Sequence, residues 1–266
     1  LPELFVGFFA LQAGLVTVVQ SALVGLLLAN SLLVLGLAFL LGASRHGTQK
    51  FHSETPRVIA ILMVLAVSAM VMPTLAHSLH TPASAHESAL SVAGALALLV
   101  IFFASISFSL KSGSMTETAH PTDHKQKPWS MRRVFIILGV TGVSAALVSD
   151  WFVKALEPAI KTLGISEAFA GLVIVAIAGN AVENVVGIQL AMKNKMDYAI
   201  SVILNSSLQI ALALTPILVL LSFFFIPTVL TLVLSPLLVV ALALTAILNA
   251  LIVYDGESNW LEGLAL

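Results

Sequence analysis

Cysteine is absent from this sequence, and only 9% of its 266 residues are Asp, Glu, Lys or Arg. Without cysteine there is no disulfide and no thiolate metal site, and the redox compartment is left unmarked. A soluble domain carries about 25% charged residues, so this chain lacks the charge to cover a water-facing surface. The formal net charge is −1, which leaves no basic excess to recruit nucleic acid. What fills the chain instead is apolar residues, 59% of the total, gathered in runs long enough to cross a bilayer.

Seven complete spans are expected near residues 17–43, 57–79, 87–111, 132–156, 166–192, 197–222 and 228–253. Two partial ones are expected at 1–13 and 259–266. Each full run exceeds the roughly 20 residues a spanning helix needs. In lipid the backbone must satisfy itself, so each run reads as helix. The chain begins at Leu1 and stops inside an apolar run at Leu266, so it reads as a segment of a longer protein, cut at both ends.

Lys and Arg set the orientation. Arg45, Lys50, Arg57, Lys111, Lys125, Lys127, Arg132, Arg133, Lys193 and Lys195 fall in one set of connections, and only Lys154 and Lys161 in the other. The basic set should be cytoplasmic, in a plasma membrane of prokaryotic type given the short loops. The polar stretch 112–130 should join two halves, 1–125 and 126–266.

Sliding the chain by 180 residues brings Glu3 onto Glu183, Val6 onto Val186, Gly7 onto Gly187 and Ser21 onto Ser201. Five helices separate the two copies. An odd number means that they enter the membrane from opposite sides, which is the inverted repeat of many secondary transporters. Chance likeness between two aliphatic hairpins is the alternative, and the acids decide against it. Glu183 lies well inside a span, and Glu3 at similar depth. A carboxylate there costs several kcal/mol, and by default it marks a pathway or site.

Two such carboxylates, one per repeat, suit a hard divalent cation, which takes oxygen ligands and needs its charge neutralised. Once the ion leaves, repulsion and desolvation favour proton uptake by the pair. A cation and protons therefore compete for one place, which is the logic of exchange. Asn180 precedes Glu183 beside the helix-weakening Gly179, and freed carbonyls there can face an ion. Asn205, Ser206, Ser207 and Gln209 crowd the next span, beyond what helix-to-helix hydrogen bonding needs. Ser206 and Gln209 are the candidate ligands from it. In the first repeat, Ser21, Asn30 and Ser31 offer a poorer set. Asp150, near the outer end of its span beside Trp151, either guards a vestibule or marks the headgroup level. The seven histidines lie in loops or at span ends and read as solvated. Asp197 reads as the acid that opens a helix.

Gly179-Asn180-Ala181-Val182-Glu183, Gln189 to Asp197 and Asn205-Ser206-Ser207-Leu208-Gln209-Ile210 resemble the calcium/proton exchanger family of the calcium/cation antiporter superfamily. Glu3-Leu4, Ser21 to Gly25 and Asn30 to Gly36 are similar to its other signature, entered late, and Asp255 to Gly263 to the stretch before its last helix. The resemblance implies an all-α polytopic membrane protein of inverted five-helix repeats, exporting calcium for protons. It implies metal contacts at Glu3, Glu183, Asn180, Ser206, Ser207 and Gln209. It implies no cofactor beyond the carried ion, lipid as surroundings, and it admits a homo-oligomer. Asn184 stands where the family usually has His, and Asn205 where it has Gly. The 112–130 stretch holds only Glu117 and Asp123 as acids, without the acidic run of some members. A sodium or potassium/proton antiporter is the alternative within transporters, since two carboxylates also serve two protons against a monovalent ion. A channel would need no such repeat. An intramembrane hydrolase is disfavoured: no His-Glu-xx-His, paired intramembrane Asp or Ser with an in-span His occurs.

Overall fold

In an apolar solvent the helix closes its own hydrogen bonds, and this chain takes that solution almost throughout. A computed structural model describes residues 2–112, 130–226 and 229–266. Most of the 112–130 stretch, with Glu117 and Asp123, lies outside them. The helices are α1 (Pro2–Gln12), α2 (Val16–His46), α3 (Glu54–Ser78), α4 (Glu87–Ser112) and α5 (Met131–Leu163). Then follow α6 (Glu167–Gly179), α7 (Ala181–Met192), α8 (Met196–Phe225), α9 (Pro236–Ile252) and α10 (Trp260–Ala265). A two-residue strand β1 (Gln49–Lys50) pairs antiparallel with β2 (Glu257–Ser258), Gln49 opposite Ser258.

Among the described residues, five helices are long and apolar enough to cross a membrane, and α6 with α7, bent by 60° where they join, count as a sixth when taken as one span. The bend falls at Asn180, directly after Gly179. The seventh expected span, 228–253, is corrected. Helix begins only at Pro236, and residues 229–235 run as extended chain. Extended backbone is tolerated at membrane depth only where protein satisfies it, and here four helices do so. Leu230 N donates to Ser222 Oγ (2.8 Å), Leu232 N to Ser91 Oγ (2.9 Å) and Leu234 N to Thr74 Oγ1 (2.9 Å). In return Thr74 Oγ1 donates to Leu232 O (2.9 Å), and Gln20 Nε2 to Thr231 O (2.8 Å) and Val233 O (3.2 Å). Leu230, Leu232 and Leu234 are buried while Val229, Thr231 and Val233 are half-buried, the period of two that a strand imposes.

The repeat is written in the backbone. Val16 and Met196, which open α2 and α8, lie 180 residues apart. Before them, Gly14 and Asn194 hold φ of 76° and 56° at the same interval. Inside each long helix one turn widens to the π form, at Ala29–Val34 and Ile210–Leu214, and α-helix resumes at Leu35 and Thr215.

The two copies cross where α2 meets α6. The backbones touch there, because glycine faces backbone from both sides. A Cβ at Gly25 would collide with Leu172 O, and one at Gly171 with Val18 O. Gly171→Ala is expected to cost about 1–3 kcal/mol through overpacking, read as a lower melting midpoint in detergent. A midpoint equal to wild type would show that these helices can part freely.

Two of the basic connections, 45–57 and 193–197, meet at one end of the bundle. His46 Nε2 donates to Met192 O (3.0 Å), His52 N donates to Asp197 Oδ1 (2.7 Å), and Lys50 pairs with Glu257 (3.1 Å). Arg57 lies over the Tyr254 ring, 4.6 Å from its centre. Asp197 sits in the first turn of α8 as expected.

Candidate cation site

Two half-helices and one long helix build the site. Glu3 lies in the first turn of α1 and Glu183 in the first turn of α7, just past the 60° break. The break directs α7 away from the line of α6, so the two helix ends meet beside a cavity. A helix C-terminus presents partnerless carbonyls and the negative end of its dipole, both suited to a cation. α8 supplies the facing wall.

The cavity measures about 220 Å³ and is lined by Glu3, Asn180, Glu183, Ser206 and Gln209, with Leu4, Ile210, Ala213, Leu214 and Ile217 as its apolar side. Acids expected from opposite repeats thus line one space. Asn180 is buried, Glu3 and Ser206 are half-buried, and Glu183 and Gln209 are exposed. Among the described residues nowhere do three His, Asp or Glu side chains gather as a metal cluster. Two carboxylates with the amides of Asn180 and Gln209 are the donor set here. Such a set can neutralise a divalent cation or take up protons, with oxygens left to complete a coordination shell.

Ser206 is the hub of the neutral groups. Its Oγ accepts from Asn180 Nδ2 (3.1 Å) and from Asn30 Nδ2 (3.1 Å). A hydroxyl has two lone pairs and one proton. With both lone pairs engaged, Ser206 offers the cavity a donor, suited to a carboxylate. The bond to Asn180 uses that residue's nitrogen and leaves its Oδ1 as the free acceptor. Asn30 Oδ1 is buried without a hydrogen-bond partner.

Ser207, expected beside Ser206, does not line the cavity. It is fully buried, its hydroxyl 3.2 Å from that of Ser31 and donating to Ile203 O (3.3 Å). Successive helical side chains diverge by about 100°, and that turn carries Ser207 away from the cavity and towards Ser31. Asp150 forms an i,i+4 pair with Lys154 at 2.7 Å and lines neither cavity. Asn30, named among the first repeat's polar residues but outside the candidate set, supports Ser206 from behind. A second, apolar cavity of about 180 Å³ adjoins the first, and Glu3 is the one charged residue that lines it. It lies between α1, α2, α5, α6 and α8, with Val18, Phe152, Leu156 and Leu218 among its walls.

Known proteins match this chain over almost its whole length. Residues 1–111 and 133–266 match the family described as sodium/calcium exchanger protein. A Ca(2+)/H(+) antiporter of Aphanothece halophytica is 37% identical, over 98% of this chain and 74% of its own length. The Ca(2+)/H(+) antiporter ChaA of Bacillus subtilis is 34% identical, over 99% and 76%. The solved structure of native YfkE superposes with a TM-score of 0.82 at 33% identity, over 99% of this chain and 76% of that one. With family, relatives and fold in agreement, the chain belongs to the sodium/calcium exchanger family, in its calcium/proton exchanger branch.

Proposed function

We propose that the protein moves calcium out of the cytosol in exchange for protons, through Glu3 and Glu183. The observation that carries this reading is the single cavity shared by those two carboxylates with Asn180, Ser206 and Gln209. With calcium bound, both acids are ionised and neutralise it. With calcium gone, protons neutralise the acids. A state with neither leaves like charges facing one another in a low dielectric, which is unfavourable. The site therefore crosses the membrane loaded one way or the other, and the two fluxes are coupled. The basic face, where loops 45–57 and 193–197 meet, is the cytoplasmic one in this reading, and a prokaryotic plasma membrane is the proposed location. Residues 1–125 and 126–266 are the proposed halves.

Everted vesicles holding a proton gradient test the ion. Calcium is expected to collapse the gradient, and sodium and potassium are expected to leave it standing. Collapse by a monovalent ion instead would assign the pair to sodium or potassium exchange. Ser206→Ala tests the neutral groups. It frees Asn180 from its orienting bond, and loss of such a supporting contact typically weakens metal affinity about 10–100-fold. The expected result is a rise of that size in half-saturating calcium. An unchanged value would remove Ser206 from the site.

A further inference from the structure

α7 is a short rod of 12 residues. The break at Asn180 turns its first turn, which carries Glu183, 60° off the line of α6, and Asn180 itself is bonded to Ser206. The far end of α7 is held too. Gln49 Nε2 donates to Ala191 O (3.1 Å) and to Asn194 Oδ1 (2.9 Å), so both amide protons go to the end of α7 and the turn that follows. Gln49 is 3% exposed. Gly42 makes room for it: a Cβ there would collide with Gln49 Oε1 and lie 3.2 Å from Ala191 O. The backbone of Gln49 in turn pairs with Ser258. One side chain thus joins the end of α7 to the connection between α9 and α10.

We propose that Gln49 is a positioning residue for the exchange site, acting through α7. Ala191 lies eight residues beyond Glu183, about 12 Å along a helix. A helix that short transmits the orientation of one end to the other. The N-terminal end is held through Asn180 on Ser206, and the second fixed point that sets where Glu183 stands is the C-terminal one. Gln49 supplies it with two hydrogen bonds, shielded from water. His46, which also reaches α7 through Met192 O, is exposed, so its bond competes with solvent. This inference rests on the reading of Glu183 as an exchange carboxylate.

The test uses the purified, reconstituted protein and two variants. Gln49→Met keeps length and volume and removes both donors. Asn194→Gly removes one acceptor and suits a turn whose φ is 56°, so it folds even where the first variant does not. Because the chain has no cysteine, Lys193→Cys gives a single spin-label site at the end of α7. Label mobility is expected to rise in Gln49→Met and, to a lesser degree, in Asn194→Gly. Half-saturating calcium is expected to rise about tenfold in Gln49→Met, the size typical of supporting contacts around a metal, with the maximal rate within about twofold of wild type. A label as immobile as wild type in both variants overturns the proposal. So does a mobile label with unchanged half-saturation. Glu183→Gln, run alongside, judges the carboxylate reading separately: if it transports, that reading fails, while the label still reports whether Gln49 holds α7.

Discussion

Glu183→Gln is expected to abolish exchange, and Glu3→Gln to do the same. Glutamine keeps the shape and the oxygen but cannot hold a negative charge or take up a proton. Both arms of the cycle therefore fail together: calcium binding loses half its neutralising charge, and proton return loses one of its two carriers. Loss of even a supporting contact around a metal typically weakens affinity about 10–100-fold, so loss of one of the two neutralising carboxylates is expected to cost at least about 100-fold. The double variant should be no worse than either single one, because groups acting as a unit are not additive. Gradient collapse in everted vesicles reads all three. A Glu183→Gln protein that exchanges at more than about a tenth of the wild-type rate, well inside the loss expected for a neutralising carboxylate, would sink the paired-carboxylate mechanism whatever the ion.

Thr74→Val should destabilise the protein more than any other conservative change at a single hydroxyl. Valine matches the shape of threonine, so packing is kept. The loss is chemical: Leu232 O and Leu234 N, both served by Thr74 Oγ1, are left without that partner at a buried position. Each buried backbone group so stranded costs about 1–3 kcal/mol, which for two groups amounts to a fall on the order of 10 °C in melting midpoint. Thr245→Val is the control. Its hydroxyl serves only Ala241 O within its own helix (2.8 Å), whose carbonyl already belongs to the helical ladder. Equal melting of the two variants would mean that the extended segment does not depend on its side-chain partners.

That segment also shows where reading the sequence fails. Hydropathy registers residues 228–253 as one apolar run, and it is blind to backbone direction. The partners that make a strand possible are Gln20, Thr74, Ser91 and Ser222, scattered over four helices, and each alone reads as an ordinary polar residue in a span. Two local signs were available: Leu230, Leu232 and Leu234 alternate with Thr231 and Val233, and Ser235-Pro236 is a helix start. The acids behaved oppositely. Glu183 was legible because its cost in lipid demands a reason, and Glu3 because the interval of 180 residues pairs it with Glu183. That interval hid Asn30, which it sets against Ile210. It recurs in Val16 and Met196, Gly14 and Asn194, Leu35 and Thr215. Ser206 and Ser207 could not be separated by composition. Which of two adjacent serines faces a cavity depends on helix rotation, and a π turn a few residues away shifts that rotation.

The π turns have a cost and a use. A π turn arises when one residue is inserted into an α-helix, and it is costly enough to be kept only where it serves. Three occur among the described residues, one of them in α6 at Ala170–Val175, and those in α2 and α8 return to α-helix at Leu35 and Thr215, at the same distance from the opening of each helix. A widened turn leaves backbone carbonyls without their usual helical partners, and in α8 it follows directly on Gln209, which lines the cavity. In α2 it holds Asn30, which bonds Ser206. The two helices thus loosen their own backbones at the level where their polar side chains meet.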